Sequence, residues 1–177
     1  MTRKFIYSLA TLAVLSIASA SQASDIIGIR VKLGYDFSNS FELKNGNGGS
    51  MQGPDIGLDF PMFKFPGVQL YASPSVMLGG KLSHGGDIDG QIYRFMLSAR
   101  QTLTKEGLFG SVGAGVAHSQ SRGKNLFRSE DGFLSNITLG APLKFKFLGI
   151  TPNIEGSYYF SSQDQFRGFT IGLSASF

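Results

Sequence analysis

The chain has no cysteine, no tryptophan and only two histidines, His84 and His118. Without thiols, disulfides, thiolate metal sites, cysteine nucleophiles and lipid attachment through cysteine are all excluded. Neither histidine sits in a spacing that a cation site needs. His84 shares a glycine-rich stretch with Asp87 and Asp89, but their order follows no established ion-binding loop and reads as a solvated connection. Cationic runs are missing as well. The formal charge of +4 includes Arg3 and Lys4, and the other basic residues are scattered, so nucleic acid is not an expected partner. Nor does any stretch after the N-terminal region approach the roughly twenty apolar residues of a spanning helix, which excludes a helical membrane protein.

The N-terminal region itself holds Arg3 and Lys4, an apolar run from Phe5 to Ile17, and two small-residue sites, Ala18-Ser19-Ala20 and Ser21-Gln22-Ala23. The run is too short to span a bilayer and has the layout of a secretory signal peptide, residues 1–23, cleaved after Ala20 or Ala23. Residues 24–177 then form one domain of roughly 155 residues.

Mean hydropathy is near zero, yet apolar residues are strongly ordered along the chain. Ile27, Ile29, Val31, Leu33, Tyr35 and Phe37 alternate with Gly28, Arg30, Lys32, Gly34 and Asp36. This period of two marks a strand, and its length suits a tilted membrane strand better than a soluble sandwich. Similar alternation predicts strands over residues 55–62, 68–78, 93–103, 108–117, 133–143 and 150–160, with an eighth from about Phe166 to the end. Pro74 lies inside the third and predicts a bulge there. Connections of unequal length separate the strands: long ones over 38–53, 79–90 and 119–132, a brief one over 161–165, and short turns closing on Gly67, Gly107 and Gly149. An even number of strands with short turns at one end and long loops at the other is the pattern of an all-β, eight-stranded antiparallel up-and-down transmembrane β-barrel.

The charges decide which face meets lipid. Arg30, Lys32, Asp36, Asp55, Asp59, Arg94, Arg100 and Glu155 all fall on the non-apolar phase. A soluble barrel around an apolar ligand would turn those charges outward. On the lipid face of a membrane barrel, each cation near mid-bilayer would cost about 2 to 4 kcal/mol. With the apolar phase outward, four cations meet four carboxylates in the lumen, and Lys32 with Asp59 and Asp36 with Asp55 are expected as neighbouring rungs. An eight-stranded barrel has room inside for side chains alone, so a closed, charge-filled lumen is expected and no open channel.

The last strand carries a further signal. Thr170, Gly172, Ala175 and Phe177 match a polar-x-Gly-x-x-apolar-x-aromatic ending, with the small Ala175 standing where the pattern has a larger residue. This ending resembles the closing strand of bacterial outer-membrane barrels, and the whole mature chain resembles the small OmpX-like, opacity-like and OmpA transmembrane barrels. The resemblance implies export to the bacterial outer membrane and recognition by the barrel-assembly machinery. It also implies a monomer among outer-membrane lipid and lipopolysaccharide, with a structural or surface-contact role through the outer loops. A narrow route for small hydrophobic solutes, as in OmpW-like barrels, is the alternative.

Arg122, Lys124 and Arg128 in the third long loop, with Arg167 at the next rim, are candidates for lipopolysaccharide phosphate. His118-Ser119 invites comparison with lipid A-modifying barrels, but it lacks their His-x-Ser spacing and no acid is evident beside it. No catalytic residue, metal or cofactor is therefore expected, and the chain is not expected to be an enzyme.

Overall fold

The computed structural model describes residues 28–42, 48–79, 81–82, 89–123, 126–146 and 149–176. The strands are β1 (Arg30–Glu42), β2 (Gly48–Phe65), β3 (Val68–Leu78), the two-residue β4 (Lys81–Leu82), β5 (Asp89–Thr102), β6 (Phe109–Gly123), β7 (Leu126–Pro142), β8 (Asn153–Ser161) and β9 (Gly168–Ser176). Eight long strands pair antiparallel in the order β1-β9-β8-β7-β6-β5-β3-β2, and β1 pairs again with β2, which closes the ring. β4 pairs antiparallel with the outer end of β2. Each of the eight long strands has a paired neighbour on both sides, as a barrel immersed in hydrocarbon requires.

The alternation read from the sequence sets the two faces. Leu33, Leu97, Val112, Val116, Ile137, Leu139, Ile171 and Leu173 are exposed on the outside, while Arg30, Asp36, Asp59, Arg94 and Glu155 are buried inside. Glycines with positive φ, Gly67, Gly107 and Gly149, mark the three short connections. Between β2 and β3, Pro66 supplies the fixed φ of a tight turn and Gly67 the φ of +79° that follows it. Between β5 and β6, Gly107 N–H donates to the Thr104 carbonyl at 3.1 Å. In that turn the Glu106 carboxylate accepts from its own backbone N–H and from the Thr104 hydroxyl, which holds its pKa below the ordinary value.

Three sequence expectations are corrected. Pro74 stays in register opposite Phe95; the irregularity lies between Pro61 and Phe63 on β2. One extra residue there shifts the outward phase from even to odd, so that Met62, Phe63 and Phe65 are all exposed. The expected loop over 119–132 is strand for nearly all of its length, since β6 and β7 remain paired out to Gly123 and Leu126. Likewise β1 and β2 pair as far as Glu42 and Gly48, inside the expected loop over 38–53. Above the apolar belt both faces of a strand meet water or polar groups, so the period-two signal fades while the backbone ladder continues.

β9 closes the ring with Gly34 opposite Gly172. A Cβ on Gly172 would lie 2.5 Å from the Leu33 carbonyl oxygen and 2.8 Å from Gly34 Cα, both backbone atoms that cannot swing aside. Gly172→Ala is therefore expected to lower barrel stability by about 1 to 3 kcal/mol, read as a lower urea midpoint for loss of the heat-modifiable gel band. Gly156→Ala, whose Cβ would meet the Phe169 ring at 3.4 Å, should leave that midpoint almost unchanged.

Candidate functional site: the barrel interior and its outer rim

Inward positions from all eight long strands build two ionic clusters, one above the other. At the turn end, Asp59 is the hub: Lys32 Nζ lies 2.6 Å, Arg100 Nη2 3.2 Å and Arg30 Nη1 3.7 Å from its carboxylate oxygens. Arg30 also pairs with Glu155, and the Ser174 hydroxyl bonds to both. Phe109 lies between two of the cations, with the Arg100 and Arg30 guanidinium carbons 4.4 and 5.0 Å from its ring centre, and Arg100 also covers Tyr71 at 4.9 Å. The flat faces of the guanidinium groups are thus covered while their edges meet carboxylates.

The second ionic cluster lies nearer the outer mouth. Arg94 pairs with Asp36, reaches Asp55 with Nη1 at 3.4 Å, and stacks on Tyr159 at 4.4 Å. Between the clusters, Thr138 and Ser157 share a hydrogen bond of 2.7 Å, and Asn136 donates to Thr138 at 3.2 Å. A cavity of about 40 Å³ remains here, lined by Lys32, Asp55, Gly57, Ser75, Glu155, Tyr159 and Thr170. That is space for water on the order of one molecule, not for a continuous aqueous path.

All eight lumen charges named from the sequence face the interior. Lys32 does lie beside Asp59, but through a diagonal contact, because Arg30 is the backbone partner of Asp59 and Lys32 that of Gly57. Asp36 and Asp55 do not form a rung together; Arg94 stands between them as their common cation. The sequence reading missed the apolar tier above. Met51, Met77, Ile92, Met96, Leu134 and Phe166 form one buried cluster in the outer half of the barrel. Its signal was apolar residues on the polar phase, as Met77 and Met96 are. Phe166 carries no such signal, because it belongs to a 3-10 turn, Asp164–Phe166, that folds over the mouth and buries this ring completely.

The expected rim sites fare differently. Arg167 donates to the Ser161 carbonyl at 2.8 Å and meets Asp164 at 3.4 Å, so it ties down the last connection. Arg122 and Arg128 belong to the paired β6 and β7 ends, and Lys124 lies outside the described residues. Of the closing signal, Thr170 and Gly172 face inward and Ala175 outward on β9, and Phe177 lies outside the described residues, as do His84 and Asp87. The expectation that no acid stands beside His118 is overturned: Asp131 Oδ1 lies 2.6 Å from its Nδ1. Thirteen residues separate them in the chain, and only the β6–β7 register brings them opposite each other. Ser119 is not part of that group, since it turns inward and is buried.

A closed eight-stranded antiparallel barrel, apolar outside and ionic within, has the architecture of a transmembrane β-barrel. No protein-family model matches the chain, and no curated protein matches it in sequence. Among solved structures, the Yersinia pestis outer membrane protein Ail in a phospholipid bilayer nanodisc is similar, with a TM-score of 0.52 and 13% identity over 85% of this chain and 99% of that one. The N-terminal β-barrel domain of Pseudomonas aeruginosa OprF gives a TM-score of 0.51 at 14% identity, covering 85% and 96%. At these identities the likeness is one of fold: the chain has the fold of the small eight-stranded outer-membrane β-barrels.

Removing the shared cation should cost more than removing the whole outer ionic cluster. Arg94→Met leaves Asp36 and Asp55 facing each other without a counterion and is expected to destabilise the barrel by about 3 to 5 kcal/mol. Adding Asp36→Asn and Asp55→Asn to the same chain should recover most of that loss in urea unfolding of the micelle-bound protein.

Proposed function

We propose that the protein is an integral outer-membrane barrel, exported by residues 1–23, with an occluded interior and a structural or surface-contact role exercised at its outer end. The observation that carries this reading is the pairing of an apolar outer belt with an interior filled at two levels by ion pairs and an apolar cluster. Such an interior stabilises and closes the barrel rather than conducting through it. Interactions with other molecules then fall to the parts above the belt, the β1–β2 and β6–β7 hairpins and the connection that carries Phe166. Contact of the basic rim with lipopolysaccharide phosphate belongs to the same reading.

The protein should fractionate with outer membranes, migrate faster unheated than boiled, and give no steady single-channel conductance in planar bilayers. Leu33→Arg places a cation on the lipid face and should cost about 2 to 4 kcal/mol, reducing the folded band. If Leu33→Arg assembles as wild type does, or the protein is recovered soluble in the periplasm, the reading is wrong.

The apolar cluster in the outer half favours one second reading, a narrow route for small hydrophobic solutes. Phe166 caps the cluster from above, and a Cβ on Gly132 would strike its ring at 2.6 Å. Under that reading Phe166→Ala increases uptake of a small apolar dye by the outer membrane; under the closed-barrel reading it lowers stability by about 3 to 5 kcal/mol and leaves uptake unchanged.

A further inference from the structure

We propose that the outer face of the β6–β7 hairpin carries a serine hydrolase site, with Ser129 as nucleophile, His118 as general base and Asp131 as its orienting acid, acting on the acyl ester of a lipid that lies against the barrel wall. The lipid substrate rests on the membrane placement proposed above; the triad itself rests on the geometry of the strands.

His118 and Asp131 are directly paired across the ladder, and Gln120 is paired with Ser129 one step nearer the hairpin tip. Asp131 Oδ1, 2.6 Å from Nδ1, fixes the imidazole so that this nitrogen carries the proton and Nε2 offers a lone pair. Ser129 Oγ stands 3.4 Å from Nε2, a looser contact of the kind that tightens when substrate is bound. Gln120 Nε2 lies 3.0 Å from the same ring nitrogen and donates to it at rest. Turned toward an entering ester, that amide supplies an N–H for the carbonyl oxygen and yields the lone pair to Ser129.

The surroundings define the substrate class. One step below the triad on the same outward phase are Val116 and Phe133, the latter 82% exposed. A hydrocarbon chain lying along these side chains would bring its ester carbonyl up to Ser129. The Asp131 side chain is 86% exposed and the His118 side chain 37%, so the head of the lipid and the hydrolytic water have access from above. Phospholipid and acylated sugar lipid share this chemistry, an ester at the boundary between chain and head group.

The reaction balances with water as the sole co-reactant. Ser129 Oγ bonds to the ester carbonyl carbon while its proton passes to His118 Nε2. The bond from that carbon to the alkoxy oxygen breaks, and the departing alcohol takes the proton from His118. Water then attacks the acyl-Ser129, giving its proton to the same nitrogen; the carbon–Oγ bond breaks, Ser129 recovers its proton, and a fatty acid leaves. Asp131 remains a carboxylate throughout and stabilises the imidazolium.

The test uses the full-length protein folded in micelles and treated with a fluorophosphonate, which loses fluoride on bonding to an activated serine. Peptide mapping is expected to place a single adduct on Ser129. The labelling rate should fall about 100-fold or more in His118→Ala, while Ser119→Ala, with its hydroxyl inside the barrel, labels as wild type. The heat-dependent mobility shift, measured on each variant, separates loss of the site from loss of the barrel. In the second arm the protein is reconstituted with phosphatidylethanolamine or with lipopolysaccharide, and free fatty acid is measured by mass spectrometry; release from one of them identifies the source. A folded protein with no adduct on Ser129, or with an adduct indifferent to His118→Ala, overturns the site. An adduct without fatty acid from either lipid overturns the substrate class.

Discussion

Pairing β1 with both β2 and β9 fixes the size of everything else in the molecule. The closed ring gives every long strand a paired neighbour on both sides, so across the belt no strand has to be covered by a loop or a second sheet. It also sets an interior just wide enough for side chains, and whatever points inward must find its partners across that width. Gly34 and Gly172, facing each other where the last strand meets the first, allow this approach because neither carries a Cβ to hold the strands apart.

The interior answers the constraint by dividing charge into unequal groups. The turn-end group holds three cations against Asp59 and Glu155, and the outer group one cation against Asp36 and Asp55, so each carries a local excess that the other offsets. Neither could be buried in isolation at low cost. The aromatic rings of Phe109, Tyr71 and Tyr159 cover guanidinium faces that have no carboxylate to meet, and the Met-rich tier above Arg94 limits the entry of water from the mouth. Methionine suits that tier because its unbranched thioether fills the irregular space left among polar neighbours.

The sequence revealed the features governed by a period of two. Strand number, the inward direction of all eight charges and the position of the glycine turns follow from alternation and from the cost of charge in lipid. It failed where a third strand or a register decided the outcome. Arg94 serves both Asp36 and Asp55 because three strands converge, which no pairwise folding of β1 on β2 reveals. Pro74 needed no bulge because the ladder keeps its register on both sides, whereas the irregularity adjoins Pro61, a strand proline that carried the same signal. The eighth strand, expected from about Phe166, begins at Gly168, because the Gln163 carbonyl accepts the Phe166 N–H and the chain turns once before the ladder begins.

The β6–β7 hairpin shows why the outer end carries what the rest of the wall cannot. Its longer strand has 17 residues, about 55 Å of extended chain and about 40 Å along the barrel axis at a tilt near 45°, against an apolar band about 25 Å tall. Outward apolar residues of β7 run from Phe133 to Leu139, and above Phe133 the same phase continues with Asp131 and Ser129. The change from hydrocarbon to polar surface therefore takes place within one rung of the ladder, at His118 and Asp131. A charged pair placed lower would meet hydrocarbon, and one placed higher would stand above the reach of the lipid chains. Only at this height can a fixed Asp–His pair stand within reach of both a lipid chain and an aqueous head group.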